Sequence, residues 1–396
     1  MPRSKSASAK TGDLSYDGKA LSKRVRSILG AASRSSIRQE DRLLIYNDAR
    51  GTTLSICGLE VTATCDWPAV VPRDADLDLH VDAFRFAETV GSLTGDLSLG
   101  VAPGDPKRLQ LQIYSGLGRY RLGACSEKIE HALSPCTAHP PAKVAAGELL
   151  GALDRTAPHL TSDLMRPAMR GVLLEFDTGV MTATATDGYT LGTTSIAYRD
   201  VGGEAHGRTT ILNPDMTKVL RTVLQAAGDT AEVDLVIGPK KVTVRCGEYV
   251  VTGLPINANF PKWREIVPQA RESTVTVDRS LIEASLSRLS LYGPEPPKRH
   301  VRLAWAADGG LELSSNSVAL ERSAREVLHS AFLDGPRPSH VYVDPALLLR
   351  ALKTMHGDAV WIGVRNASSP LTVESTQLPG GSYSQLALVM PVMVER

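Results

Sequence analysis

The chain has 396 residues, 42% of them hydrophobic, with 44 Lys and Arg against 43 Asp and Glu. This is a globular composition, and at about 100–200 residues per domain it predicts a multidomain chain and excludes a disordered or fibrous one. No apolar run approaches the roughly 18 residues of a membrane span. The five cysteines show no C-x-x-C spacing, which argues against structural zinc and disulfides and for a reducing cytoplasm.

The basic, serine-rich residues 1–15 are read as a disordered tail, not a secretory signal. Residues 1–50 hold eleven Lys and Arg against five Asp and Glu, so a positive element is expected on a nearly neutral whole. The first predicted helix covers 20–32. Strands at 43–46 and 53–56 follow, and then a pattern that recurs: strand 77–81, Asp82, helix 83–93, Gly95-Asp96, strand 97–101.

The second copy starts with a helix at 146–158 and strands at 172–176 and 180–184. It repeats the pattern as strand 209–212, Asn213-Pro214, helix 215–227, Gly228-Asp229 and strand 231–237. The third has a helix at 279–291 and strands at 301–305 and 311–314. It closes with strand 340–343, Asp344-Pro345, helix 346–355, Gly357-Asp358 and strand 359–364. Asp82, Asn213 and Asp344 are N-cap residues, proline follows two of them at the first helical position, and glycine ends each helix. The Gly-Asp pairs lie 133 and then 129 residues apart. The proline-rich stretch 134–143 and the segment 261–273 fall at the same period. The expectation is an α+β protein of three similar domains, 16–138, 139–270 and 271–396, each with two helices against antiparallel sheets.

Most of these helices carry cations: Lys19, Lys23, Arg24 and Arg26 in the first, with Arg34 and Arg38 beyond it, then Arg85, Arg155, Lys218, Arg221, Arg279, Arg288, Arg350 and Lys353. Scattered cations without interleaved aromatics suit sequence-independent contact with phosphates, or simply solvated helix faces. No phosphate loop, nucleophile elbow or H-E-x-x-H occurs. The nine histidines are single, and no catalytic group, cofactor or metal site is expected.

Three motifs stand in order along the chain. Thr184-Ala185-Thr186-Asp187-Gly188-Tyr189-Thr190-Leu191 follows Met169-Arg170-Gly171-Val172. Phe260-Pro261-Lys262-Trp263-Arg264-Glu265-Ile266-Val267-Pro268 comes next, and Leu388-Val389-Met390-Pro391-Val392 near the end. Together they resemble the bacterial sliding clamp, the beta subunit of DNA polymerase III, over roughly residues 16–394. The resemblance implies two chains closing head to tail into a ring that encircles duplex DNA. It also implies helices lining the hole and a sheet forming the outer wall.

The resemblance implies a clamp that tethers the replicative polymerase, conferring processivity, in the cytoplasm at the nucleoid. Its partners would be double-stranded DNA, the clamp loader, repair polymerases and a second copy of the chain. Alternatives are a specialised clamp homologue with altered partners, or a non-ring DNA-binding repeat protein.

The matching peptide-pocket positions are Met169, Thr186, Gly188, Tyr189, Thr190, Leu191, Pro261, Glu265, Ile266, Leu388, Val389, Met390, Pro391, Val392 and Met393. Thr190, Glu265 and Met393 stand where the family motif usually has a basic residue, so weaker binding of the common acidic or glutamine-led peptides is expected. The DNA-facing set is Lys23, Arg24, Arg26, Arg34, Arg85, Arg155, Arg166, Lys218, Arg221, Arg288, Arg350 and Lys353. The implied subunit interface pairs Arg119, Tyr120 and Leu122 with Leu286, Leu289, Glu321 and Glu326.

Overall fold

The structure, a computed structural model, describes residues 14–32, 42–48, 51–67, 77–102, 109–116, 118–126, 132–268, 272–296, 299–305, 310–336, 340–378 and 382–394. The first stretch runs β1 (Leu14–Asp17), α1 (Gly18–Ile28), β2 (Arg42–Asp48), β3 (Gly51–Cys57), β4 (Val61–Trp67) and β5 (Asp78–Asp82). It continues with α2 (Ala83–Ser92), β6 (Asp96–Val101), β7 (Gln110–Ser115) and β8 (Gly118–Cys125). The second has β9 (Ala142–Ala145), α3 (Ala146–Thr156), β10 (Val172–Asp177), β11 (Val180–Thr186), β12 (Thr190–Ala197) and the short β13 (Arg199–Asp200). Next come β14 (Thr209–Leu212), α4 (Pro214–Ala227), β15 (Glu232–Ile237), β16 (Val242–Cys246), β17 (Tyr249–Gly253) and the single turn α5 (Trp263–Ile266). The third has β18 (Ser273–Asp278), α6 (Arg279–Leu289), β19 (Val301–Trp305), β20 (Leu311–Ser317), β21 (Arg322–Leu328) and β22 (Phe332–Asp334). It ends with β23 (Val341–Val343), α7 (Pro345–Thr354), β24 (Ala359–Val364), β25 (Leu371–Ser375) and β26 (Ser382–Val389).

The element order thus recurs three times, with β13, α5 and β22 as additions. So does the strand order. One four-strand order appears as β5-β2-β3-β4, β14-β10-β11-β12 and β23-β19-β20-β21. Another appears as β1-β6-β7-β8, β9-β15-β16-β17 and β18-β24-β25-β26.

By compactness the chain divides into two units, 1–150 with 199–205 and 212–255, and 151–198 with 206–211 and 256–396. The first unit holds one thirteen-stranded sheet, in which β4 pairs antiparallel with β17 from Cys65↔Tyr249 to Val61↔Gly253. The second holds a nine-stranded sheet, in which β12 pairs antiparallel with β26, and the four-stranded sheet ending at β21.

Three helices begin at the caps expected from sequence, Asp82, Asn213 and Asp344, and Asp17 and Asp278 cap two more. Asp17 accepts from the Ala20 amide at 2.8 Å, Asp82 from Arg85 at 2.7 Å and Asn213 from Met216 at 2.7 Å. Asp278 accepts from Leu281 at 3.0 Å and Asp344 from Ala346 at 2.8 Å. Each cap stabilises by about 1 kcal/mol. Gly228, at φ +92°, caps α4 as expected, but α2 and α7 end at the extended residues Leu93 and Met355, two residues before Gly95 (φ +81°) and Gly357 (φ +87°), which serve the following turns instead.

Three helices end two or more residues earlier than expected, α6 at Leu289 and two others in a tightened turn. α1 tightens after Ile28 into a 3-10 turn, Leu29–Ala31, and α3 does the same at Ala157–His159. The expected tail is also shorter: Leu14 and Ser15 belong to β1, paired with Leu99 and Ser98. Residues 1–13 lie outside the described residues.

Each helix buries one stripe. Leu21, Val25 and Ile28 of α1 are fully buried, as are Met216, Val219 and Leu220 of α4, Ile282, Leu286 and Leu289 of α6, and Leu348 and Leu352 of α7. Burial of each such side chain stabilises by about 1.5–3 kcal/mol and leaves the opposite helix face to its polar residues.

Candidate functional site

The turn between β11 and β12 is built by its own polar side chains. The Asp187 carboxylate accepts from the amides of Tyr189 at 2.9 Å and Thr190 at 2.6 Å, and from the Thr190 hydroxyl at 3.1 Å. The Thr186 hydroxyl donates to the Thr190 carbonyl at 2.7 Å and accepts from the Gly188 amide at 3.1 Å. Gly188 sits at φ +88°, and a Cβ there would lie 3.0 Å from Arg166 Nη1 and 3.4 Å from Met169 Cε. Only glycine combines that backbone with so close an approach.

The C-terminal strand runs alongside. Leu191 faces Leu388 and Thr190 faces Val389 in the β12–β26 register. The Met390 amide donates to the Tyr189 carbonyl at 2.9 Å, Pro391 bridges to Val343, and the Val392 amide donates to the Tyr342 carbonyl at 2.7 Å. Beneath lies an apolar cluster of Ala168, Leu173, Leu191, Ile211, Trp263 and Leu388, with Phe260 and Val267 packed on it. Glu175 fixes α5 over this cluster, accepting from Trp263 Nε1 at 3.0 Å and from Arg264 Nη1 at 2.7 Å.

Most of the expected pocket residues therefore stand together. Tyr189 (62% exposed), Ile266 (49%), Met390 (38%) and Met393 (75%) are open to a partner, as are Pro261 and Glu265. Gly188 is exposed, Met169, Pro391 and Val392 are half-buried, and the Thr186 hydroxyl braces the turn. Leu191, Leu388 and Thr190 are nearly fully buried beneath the turn. Val389 faces the core with Val343 and Leu371, so a partner does not reach it.

Three residues under the turn had no place in the pocket from sequence. Arg350 of α7 salt-bridges Asp187, and its Nη1 lies 3.4 Å from the Thr190 hydroxyl. His159, fully buried, has Nδ1 3.0 Å from the same hydroxyl. Burial, with the Arg350 charge second, pushes its pKa down to about 4, so the ring is neutral at pH 7. The T-D-G signature was a signal for Asp187; nothing local announced the other two.

The cations divide into two groups. Lys23, Arg26, Arg85, Arg166, Lys218, Arg221 and Lys353 are exposed. Lys19, Lys23 and Arg26 line a cleft of about 550 Å³ with Gly91 of α2 and Thr222 and Gln225 of α4. Arg166 also pairs with Asp163. By contrast, Arg24 lies between Glu248, 2.9 Å away, and the Trp67 ring. Arg288 is bidentate to Glu326 at 2.8 and 2.7 Å, and that bond holds the Glu326 carboxyl below its usual range. Arg155 is half-buried, its guanidinium against Gly151. Arg24, Arg288 and Arg350 thus spend their charge within the chain. Arg34 and Arg38 lie outside the described residues.

At the expected interface, Arg119 and Arg121 are exposed on β8, with Tyr120 and Leu122 half-buried. Leu286 and Leu289 are a correction: both are wholly buried in the core on the inner stripe of α6, where no second chain meets them. Glu326 is held by Ser285 and Arg288, and Glu321 adopts φ +49° before β21. Among the described residues no group of three His, Cys, Asp or Glu is arranged for a metal, and no helix is long and apolar enough to cross a membrane.

Family models of the DNA polymerase III beta subunit match residues 143–262, as its central domain, and 264–391, as its C-terminal domain. The chain belongs to the sliding clamp family. The beta sliding clamp of Vibrio cholerae is 23% identical over 283 residues, 72% of this chain and 74% of that one. The fold agrees with the Thermotoga maritima beta subunit at a TM-score of 0.86 and 14% identity, over 97% of this chain and 100% of that one. A Pseudomonas aeruginosa clamp bound to griselimycin gives 0.81 at 20%, over 96% and 99%. The fold over nearly the whole chain is that of the clamps, and a non-ring repeat protein is not favoured. Clamps are accessory, non-catalytic subunits, consistent with the noncatalytic reading of this chain.

Proposed function

We propose that two copies of this chain close head to tail into a ring around duplex DNA and tether the replicative polymerase to it. The three domains would be 16–138, 139–270 and 271–396. The observation that carries this reading is the way strands meet. The last strand of one four-strand order pairs with the last strand of the other, as β4 with β17 and β12 with β26. The remaining members of these series are β21 and β8. Among the described residues, β8 pairs only with β7 along 118–123. Pairing β21 of one copy with β8 of the other would repeat the same seam and cover two open strand edges. Arg119, Tyr120, Leu122, Glu321 and Glu326 would lie at that junction.

Lys23, Arg26, Arg85, Lys218, Arg221 and Lys353 would meet the DNA backbone without reading sequence, with Arg166 nearby. Retention by topology needs no tight binding, which suits a net charge of +1. The pocket around Tyr189, Ile266, Met390 and Met393 would take short linear peptides of polymerases, repair factors and the clamp loader, its methionines adapting to different side chains. The cytoplasm, at the nucleoid, is where such a ring would work.

Light scattering across a dilution series tests closure, and retention on DNA tests threading. A mass of two chains, with loaded protein kept on closed circular DNA and released after linearisation, is expected. A persistent monomer, or equal retention on both DNA forms, overturns the ring.

A further inference from the structure

We propose that Arg350 is the positioning residue of the peptide pocket: it holds Asp187, and through it the 186–190 turn, in the shape that presents Tyr189 to a partner. This rests on the peptide-binding reading above.

The hydrogen bonds around Asp187 single out Arg350. Oδ1 takes the three donors of the turn itself, the amides of Tyr189 and Thr190 and the Thr190 hydroxyl. Oδ2 takes Arg350 Nη1. The Asp187 side chain is only 13% exposed, so removing the guanidinium would leave a carboxylate charge with little water to replace it. The Thr190 hydroxyl donates to Asp187, so it accepts from Arg350 and from the Nδ1–H of His159. His159 lies so close to Gly192 that a Cβ there would be 2.3 Å from its ring, which leaves the imidazole no room to move. The turn is therefore gripped on its buried side by α7 and by the end of α3.

The grip continues into the other wall. The Tyr189 carbonyl, fixed by the turn, accepts from the Met390 amide, and two residues on Val392 bonds to Tyr342. Tyr189 and Met390 are both exposed at this point. Arg350 thus connects a buried charge to the spacing of two contact residues that it does not itself cover. Both contacts are made by one nitrogen, Nη1, whose two N–H groups are directed at Asp187 and at the Thr190 hydroxyl.

The test uses the full chain with Arg350→Ala and Arg350→Lys, each also made in an Asp187→Asn background. Amide hydrogen exchange is read at Thr190 and Met390, and griselimycin binding by calorimetry. Arg350→Ala should speed exchange at both amides and weaken griselimycin binding, each by about tenfold, while α1 amides stay as they are. Arg350→Lys should recover part of both, and in the Asp187→Asn background Arg350→Ala should add less than about twofold. Unchanged exchange and affinity in Arg350→Ala overturn the proposal, as does an equal effect with and without the Asp187 charge. If the unaltered chain binds no griselimycin while the amides respond as expected, the hold of Arg350 on the turn stands and its link to ligand binding is overturned.

Discussion

The Gly18 amide donates to the Gly95 carbonyl at 3.1 Å, tying the start of α1 to the loop that follows α2. The same tie recurs as Gly147 to Asp229 at 3.0 Å and Arg279 to Asp358 at 2.7 Å. A Cβ on Gly18 would stand 2.6 Å from the Gly95 oxygen. Gly18→Ala should therefore cost about 1–3 kcal/mol, because backbone has to give way. Arg279, at the corresponding place in the third stretch, already carries a side chain, so Arg279→Ala should cost under about 0.5 kcal/mol. Urea unfolding of the two variants checks the contrast.

Ring closure through β8 depends on the backbone groups that β7 does not use. The Ala124 amide bonds to Leu109 on the β7 side, so by alternation the amides of Arg119, Arg121 and Gly123 point away from β7. Arg121→Pro removes one of these outward donors. The expected result is a solution mass falling from two chains towards one, with the far-ultraviolet circular dichroism of the chain retained.

The two kinds of cation should respond differently to removal. Lys23→Ala and Arg26→Ala take away exposed charges beside the cleft, and each should lower the salt slope of DNA binding by about one, leaving stability within about 0.5 kcal/mol. Arg24→Ala should do the reverse. It leaves Glu248 and Trp67 without their partner, costing about 1–2 kcal/mol, and barely alters the salt slope. DNA titrations at several salt concentrations, paired with urea unfolding, separate the two.

Acid should loosen the second unit through His159. In the unfolded chain this ring titrates near 6.5, and in the folded chain near 4. Between those values the unfolded state binds more protons, so stability is full above about pH 6.5 and falls as the pH drops towards 4, by about 3 kcal/mol at most. Replacing the group by His159→Gln removes this share of the slope. Urea midpoints at pH 7, 5.5 and 4, followed by tryptophan fluorescence, would show a shallower dependence in the variant. Parallel slopes would exclude His159 as the source.

Much of this architecture is written locally. Asp82, Asn213 and Asp344 mark helix starts because a cap acts within three residues, and Gly228 marks the stop of α4 for an equally local reason, whereas Gly95 and Gly357 mark turns beyond helices that have already ended. The pocket turn is legible for the same cause, since Asp187 bonds to residues two and three places on. What the sequence hides is the fate of its charges. Arg24 meets a carboxylate 224 residues away and Arg350 one 163 residues away. Neither pairing leaves a trace in the spacing, so both arginines read as free helix cations. Leu286 and Leu289 mislead in another way. Only the family resemblance places them at the interface, and α6 turns both to the core.

The strand seams also have a mechanical side. At β4–β17 five residue pairs lie across the joint, from Cys65 and Tyr249 to Val61 and Gly253, and at β12–β26 the register runs from Thr190 to Ile196. Ladder bonds lie perpendicular to their strands. A tug along the strands stretches all of them in concert, whereas prying the edges apart breaks them one after another. A ring with seams of this kind would resist hauling in one direction while yielding to a lever in the other.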